Sequence, residues 1–377
     1  MRSISLIVLF FLGFGSVIFA QSDSTQSEGK EPSKFDQFNQ KAEKLFKIIP
    51  VPLYSYSTEA GHIVGLAKYN LIDLDKRDTI SQPSRIAEVI SFSTEGRINM
   101  SVSTDFIWNE NKYMVLGFIN YRKQNEYVFG IGNDVIAEDL EQYGFSRFRF
   151  VNTGYLMVAK DLYVGLGFDI SDYTDLEYDT TGILVQDDAV GLTPNTNFGI
   201  NLATRYDSRD NRYNPFAGEY ASLSYTFYPE FIGSQYQYSK FNLDLRKYYN
   251  PWYKHVIAMQ ATTTFCTGEV PFYDLALMGG ENTMRGYYQG ALRDRVLVDT
   301  QVEYRMPIWS IFGLTTWVGT GRVAHSYEDL SLDGFWISYG VGLRLMVDSE
   351  HQTNLRFDWG FGQSGIKGFY INFAEAF

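Results

Sequence analysis

The most constraining feature of this chain is a hydrophobic alternation of period two that recurs from about residue 60 to the C-terminus. In LYVGLGFDI, Leu162, Val164, Leu166, Phe168 and Ile170 fall on one face, and Tyr163, Gly165, Gly167 and Asp169 on the other. FNLDLR sets Phe241, Leu243 and Leu245 against Asn242, Asp244 and Arg246. VLVDTQVEYR collects Asp299, Gln301, Glu303 and Arg305 on one face. Successive side chains of a strand point to opposite faces, so each run predicts a strand with one apolar and one polar face. A soluble sandwich could bury the apolar face. Here the other face carries charge, tyrosine and glycine in strand after strand, the pattern of a transmembrane barrel with a polar lumen and a lipid-facing exterior.

Composition sharpens this. Aromatic residues make up 17% of the chain, with 28 tyrosines and 29 phenylalanines. The mean hydropathy of -0.20 argues against a helical membrane protein, which needs apolar runs of roughly 20 residues. The only such run is at the N-terminus. Residues 1–20 read as a signal peptide, with Arg2 before the apolar Ile4–Phe19 stretch and Ala20 at the expected cut. The net charge of -12 excludes a nucleic-acid partner, which selects basic patches. The lone Cys266 permits no intramolecular disulfide.

Residues 21–33 have linker composition. Residues 34–49 predict a short amphipathic helix, with Phe35, Phe38, Ala42, Leu45 and Phe46 at helical spacing, Ser33 as N-cap and Pro50 as stop. This helix would pack on the mouth of the barrel or lie in the inner leaflet. Residues 50–377 form the expected barrel, all-β and antiparallel, with sixteen strands. Their predicted starts are near 62, 85, 97, 113, 126, 146, 162, 196, 219, 236, 255, 293, 313, 335, 353 and 367. Tight turns are expected near 95–97, 122–125, 159–161, 250–253 and 348–352. The longer segments 72–84, 132–145, 172–195, 266–292 and 324–334 would face outside the cell.

GGENTMRGYYQGALRDR, residues 279–295, places an arginine between glycine pivots Gly279, Gly280 and Gly290 in the loop before the twelfth strand. A buried guanidinium there requires a carboxylate or an aromatic face. Met284-Arg285-Gly286-Tyr287 resembles the arginine–glycine–aromatic motif of the BamA/TamA family, the bacterial surface antigen superfamily of outer-membrane assembly factors. Other stretches agree. YDSRDNRYNPFAGEY resembles the family's periplasmic turn, through Asp207, Asp210, Asn211, Pro215 and Gly218. EYRMPIW resembles the end of its strand 12, and YGVGLRL and LRFDWGFG its strands 14 and 15. The final strand, with Phe369, Ile371, Phe373 and the terminal Phe377 at even spacing, resembles the signal read by the outer-membrane assembly machinery.

The resemblance implies that the loop folds into the barrel and its arginine docks on lumenal acids. The family's strand 13 usually supplies the aspartate, but Trp317-Val318-Gly319-Thr320-Gly321 lacks it, leaving Glu303 and Asp358 as inward-facing partners for Arg285. Residues 21–50 are too few for a periplasmic POTRA domain of the family, a β-α-α-β-β unit, so partner proteins in the periplasm or at the surface would replace it. The function implied is insertion or translocation of proteins or lipids at the outer membrane. The alternative is a passive pore or structural barrel. The chain's other partners are outer-membrane lipids, and no cofactor or metal is expected. Gly130-Ile131-Gly132 lacks a dinucleotide-binding context. The four histidines have no metal-ligand spacing, and the acidic stretch Ser171–Thr180 reads as a solvated loop. His325 and Ser326 are adjacent on a strand and point apart, so no catalytic set emerges.

Overall fold

A computed structural model describes residues 50–57, 61–133, 141–348 and 352–377. The expected signal peptide, linker and amphipathic helix all lie outside the described residues. The chain divides into two compact units, residues 1–41 and 42–377, and every described residue belongs to the second.

Sixteen antiparallel strands form one continuous sheet. They are β1 (Val51–Ser57), β2 (Gly61–Ile72), β3 (Ser84–Ser93), β4 (Ile98–Trp108), β5 (Tyr113–Val128), β6 (Glu141–Ala159), β7 (Leu162–Glu177) and β8 (Asn195–Asp207). The wall continues through β9 (Gly218–Tyr228), β10 (Tyr238–Tyr249) and β11 (Val256–Gly268). It then skips a small hairpin, β12 (Ala276–Met278) with β13 (Leu292–Asp294). It ends with β14 (Val296–Trp309), β15 (Phe312–Ala324), β16 (Trp336–Asp348), β17 (Thr353–Gly362) and β18 (Lys367–Phe373). Each wall strand pairs with its neighbours, but among the described residues no ladder joins β18 to β1. The two nevertheless lie side by side, so the sheet curls into a barrel with a seam.

The wall is uneven in height. β6 has 19 residues and β5 and β7 have 16 each, whereas the seam strands β1 and β18 have 7 each. The alternation sorts side chains as a membrane barrel requires. Leu166, Leu202 and Val318 are more than half exposed on the outer surface, while Tyr163, Asp169 and Ala203 are buried inside. With sixteen strands, both ends of the barrel chain reach the same rim. That terminal rim carries exposed Tyr249, Trp252, Tyr253 and Trp309, together with the Trp108–Tyr113 stack, an aromatic belt suited to a headgroup layer.

The upper lumen is filled by stacked tyrosines. Tyr228 lies on Tyr238 at 4.1 Å between ring centroids, and Tyr173 on Tyr273 at 3.7 Å. The hydroxyl of Tyr228 donates to Asp169 Oδ2 at 3.0 Å, and that of Tyr238 to Asp274 Oδ2 at 2.7 Å. An amphipathic ring with one donor fits a crowded polar interior, which accounts for the tyrosine content.

Three strand expectations are corrected. Residues 51–57 form β1, ahead of the first strand expected near residue 62, with Pro52 inside it. Proline is tolerated on an edge strand, and β1 borders the seam. Residues 122–125 are not a turn but the middle of the continuous β5. Its upper part rises as a tall wall with polar groups on both faces, so the alternation fades there. These two errors cancel in the strand count. As a consequence, residues 73–83 connect strands at the terminal rim and 94–97 at the opposite rim, the reverse of the expectation. The Tyr213 hydroxyl in the 208–217 turn donates to Pro83 O at 3.2 Å, which places both segments at one rim.

Candidate functional site

The connection between β11 and β14 turns down into the lumen. Gly279, Gly280, Gly286 and Gly290 all have positive φ, and Met284 sits at φ 46°. At its tip Arg285 is fully buried. Its Nη1 donates to Asp358 Oδ2 at 2.7 Å and its Nη2 to Glu303 Oε2 at 2.5 Å. The guanidinium lies over the Trp317 ring, 3.7 Å from its centroid. Asp358 lies on β17 and Glu303 on β14. Trp317, considered only for the carboxylate its stretch lacks, supplies a π face. A delocalised, weakly hydrated guanidinium flanked by two carboxylates and an indole is well suited to a dry site.

The loop backbone is held as firmly. Ser338 Oγ donates to Arg285 O, and Gly286 N donates to the Tyr370 hydroxyl at 3.1 Å. The Tyr287 hydroxyl donates to Ile337 O at 2.8 Å and accepts from Gln363 N at 2.7 Å. β16 and β17 make room through glycines. A Cβ on Gly286 would lie 2.8 Å from Phe361 backbone atoms, and one on Gly360 2.5 Å from Gly286 N. A Cβ on Gly340 would meet the Trp317 ring at 2.3 Å. These facing glycines form the slot into which the loop fits, a close approach that only glycine permits.

Around Arg285 lies an ionic knot that the sequence reading did not assemble. Arg344 donates to Asp358 Oδ1 at 2.6 Å and to Glu375 Oε2 at 2.7 Å. Arg305 donates to Glu303 Oε1 at 2.7 Å and to Phe377 O at 2.9 Å. Arg356 reaches Asp358 Oδ2 at 3.2 Å and holds the loop through Glu281 O and Asn282 Oδ1, both at 2.9 Å. Four guanidiniums share three carboxylates, all buried. The signal was present in the two-residue spacing of Glu303 with Arg305 and of Arg356 with Asp358, which puts each pair on one strand face.

The predicted C-terminal row divides in two. Phe369, Ile371 and Phe373 lie in β18, and Phe369 meets Trp359 of β17 at 4.8 Å. Ala374 at φ 65° ends the strand. Phe377 is buried beside Tyr248, Val256 and Ala258, with the Arg305 guanidinium 5.5 Å from its ring centroid. Phe373 itself stacks on Tyr69 of β2 at 5.3 Å. The chain end therefore bends past β1 into the lumen instead of continuing along the wall.

The 208–217 turn closes over this end. Asp210 Oδ1 accepts from Asn211, Phe216 and Ala217 backbone N–H groups at 2.9, 2.9 and 3.2 Å. Asn211 Oδ1 accepts from Tyr213 and Asn214 at 2.8 and 3.0 Å. Gly218 has φ 105°, and a Cβ there would lie 2.4 Å from Ser208 O. Asp207 grips Arg209 through two bonds of 2.7 and 2.8 Å. Pro215 O faces Arg305 Nη1 at 3.5 Å. The turn fastens neighbouring segments through Asn214 Nδ2 to Gln352 O at 3.0 Å and Glu375 N to Tyr213 O at 3.0 Å. Burial and the neighbouring Asp105 push the Tyr213 phenol up to about 12, so it stays a neutral donor. Among the described residues no group of three or more His, Cys, Asp or Glu side chains is placed to hold a metal ion.

Residues 88–377 match the family described as the Omp85 superfamily domain. No curated protein sequence matches the chain. Among solved structures it is similar to BamA from Haemophilus ducreyi lacking POTRA domains 1-3, at 15% identity and a TM-score of 0.50, over 90% of this chain and 77% of that one. It also overlaps CdiB from Acinetobacter baumannii, at 12% identity and a TM-score of 0.49, over 84% of this chain and 58% of that one.

Proposed function

This chain belongs to the Omp85 superfamily and is an outer-membrane β-barrel. We propose that it inserts or translocates proteins or lipids by opening the seam between β1 and β18, and that Arg285 locks the loop that stiffens one side of that seam. The observation that carries this reading is the seam itself. Its two strands are the shortest of the wall, 7 residues each, and no ladder joins them among the described residues. A transmembrane strand usually needs about 9–11 tilted residues. Seven residues rise only about 23 Å even when upright, short of the roughly 25 Å apolar band once tilted. The membrane beside the seam must therefore thin, which favours entry of a new strand or lipid there. Partner proteins in the periplasm or at the surface would deliver the client. The terminal rim orients to the periplasm.

A passive pore finds less support, because the 279–291 loop and the 208–217 turn both fold into the lumen. The test is a tether. Cysteine pairs are scanned along Val51–Ser57 and Lys367–Phe373 in a Cys266→Ala background, and the pair that oxidises to a disulfide is kept. Reconstituted in liposomes with a purified unfolded outer-membrane barrel as client, the oxidised protein is expected to lose insertion activity and regain it with reductant. Full activity while tethered, or a steady ionic conductance with no insertion by the wild type, would overturn the reading.

A further inference from the structure

The lower lumen contains a cavity of about 960 Å³, bordered on one side by Arg356 and Glu375 of the ionic knot. Its floor is made by arginines, in a protein whose net charge is -12. Arg205 of β8, Arg209 of the following turn and Arg246 of β10 surround one ring, Tyr220, with guanidinium carbons 5.3, 4.6 and 4.8 Å from its centroid. Arg212 of the turn and Arg85 of β3 stand beside them, and Arg122 and Arg356 line other parts of the cavity with Glu281 and Glu375. Asp207 pairs with Arg209 and stands 3.7 Å from Arg212; Asp244 pairs with Arg246, and Asp105 with Arg85. At the floor itself, five guanidiniums meet three carboxylates.

The excess sits on two buried groups. Arg205 is more than nine-tenths buried. Its guanidinium lies against the Tyr155 ring, 4.9 Å from the centroid, its Nη1 donates to the Met114 sulfur at 3.5 Å, and its Nε has no hydrogen-bond partner among the described residues. The Arg212 side chain is 8% exposed and its Nη1 has no partner. Both line the cavity. Like charges gathered on one ring repel, and guanidinium N–H groups without acceptors in a buried site cost free energy. Both costs are removed by an anion that brings several acceptor oxygens. A tetrahedral oxyanion matches converging guanidinium forks better than a single carboxylate does.

We propose that the lumen floor is a binding site for a phosphate-class anion, held chiefly by Arg205 and Arg212 with Arg85 and Arg246 alongside. Phosphate could arrive on a lipid headgroup or as a soluble phosphorylated solute. The cavity also borders the seam strands and the inserted loop, but Arg205 and Arg212 belong to neither the seam nor the Arg285 knot, so phosphate binding can be read independently of insertion.

The test uses the full barrel in a neutral detergent, titrated calorimetrically with inorganic phosphate at fixed ionic strength. Saturable binding is expected in the wild type. Arg205→Gln and Arg212→Gln each remove a charge-assisted hydrogen bond to the anion and should weaken binding about tenfold or more. Arg322→Gln, in a strand end near the opposite rim, should bind as the wild type does. If a glutamine variant does not fold, Arg212→Lys keeps the charge but not the fork and is expected to bind measurably more weakly. Phospholipid retained through purification by the wild type and absent from the glutamine variants identifies a headgroup. Saturable phosphate binding without retained lipid identifies a soluble phosphate. No saturable binding to lipid-free wild-type barrel, or equal binding by the wild type and both glutamine variants, would overturn the proposal.

Discussion

The two walls that meet at the seam have opposite interiors. Behind β14–β17 the lumen holds the inserted loop and the ionic knot. A loop is threaded into a glycine slot, and Arg285, Arg305, Arg344 and Arg356 share Glu303, Asp358 and Glu375. Behind β1–β5 lies the open side of the cavity, lined by Leu53, Ala67, Val89, Ser101 and Ser103, with arginines at its floor. Both sides are rich in arginine, so charge alone does not distinguish them. The difference lies in partners: on the knotted side carboxylates from β14, β17 and the tail converge on four guanidiniums and leave one positive charge in excess, while on the hollow side five guanidiniums meet three carboxylates and leave two. β18 borders the cavity as β1 does, but it is tied to the inserted loop through Tyr370, whose hydroxyl accepts from Gly286 N at 3.1 Å. Opening of the seam should therefore be a movement of β1 and its neighbours away from a fixed β18.

The largest effect that could break this contrast is Arg285→Ala. It leaves Glu303 and Asp358 buried with reduced compensation, a loss of about 3–5 kcal/mol when one partner of a buried pair is removed. The expected outcome is a lower folded yield and a lower unfolding temperature by heat-modifiability on gels. Yield and midpoint equal to wild type would show that the loop is not a lock. Next is Gly360→Val. Its Cβ would fall 2.5 Å from Gly286 N, so the loop must leave its slot. Overpacking of this kind costs about 1–3 kcal/mol. Limited proteolysis should then cut within residues 280–290 in the variant and spare the wild type.

The smallest effect belongs to the hollow side. Asp78, at the terminal rim between β2 and β3, accepts from Ser81 Oγ at 2.6 Å, Ser81 N at 2.9 Å and Glu110 N at 2.8 Å. Those bonds, the one from the Ser81 side chain foremost, hold its carboxyl well below the usual carboxylate range. A depressed value means that the ionised group stabilises the fold above its unfolded pKa, about 4, and that this contribution fades as pH falls below it. Amide exchange in residues 78–82 and 109–112 should accelerate at pH 3 relative to pH 6 after correction for intrinsic rates. The same correction should leave Asp78→Asn nearly flat between the two pH values.

Much of the knotted wall was legible because strand alternation is rigid. Once Glu303 and Asp358 face inward, an inward loop carrying Arg285 has few other acceptors. The signals that failed were those where local chemistry overrides the alternation. Ala374 takes a positive φ without being glycine, so nothing local announces that Phe377 leaves the row and enters the lumen. Polar Arg122–Asn125 imitates a turn because β5 rises above the apolar band there. The hollow side was legible only as arginines scattered through YDSRDNRY and neighbouring strands. That Arg205, Arg209 and Arg246 converge on Tyr220 depends on the register of β8, β9 and β10, which no single segment encodes.

The most direct test of the contrast is hydrogen–deuterium exchange of the barrel in lipid nanodiscs, wild type beside Arg285→Ala. In the wild type, β14–β18 should be protected for hours and β1–β3 should exchange far sooner. In the variant, β15–β18 should lose protection toward the level of β1–β3. Equal protection of the two walls in the wild type, or unchanged protection of β15–β18 in the variant, would contradict the account.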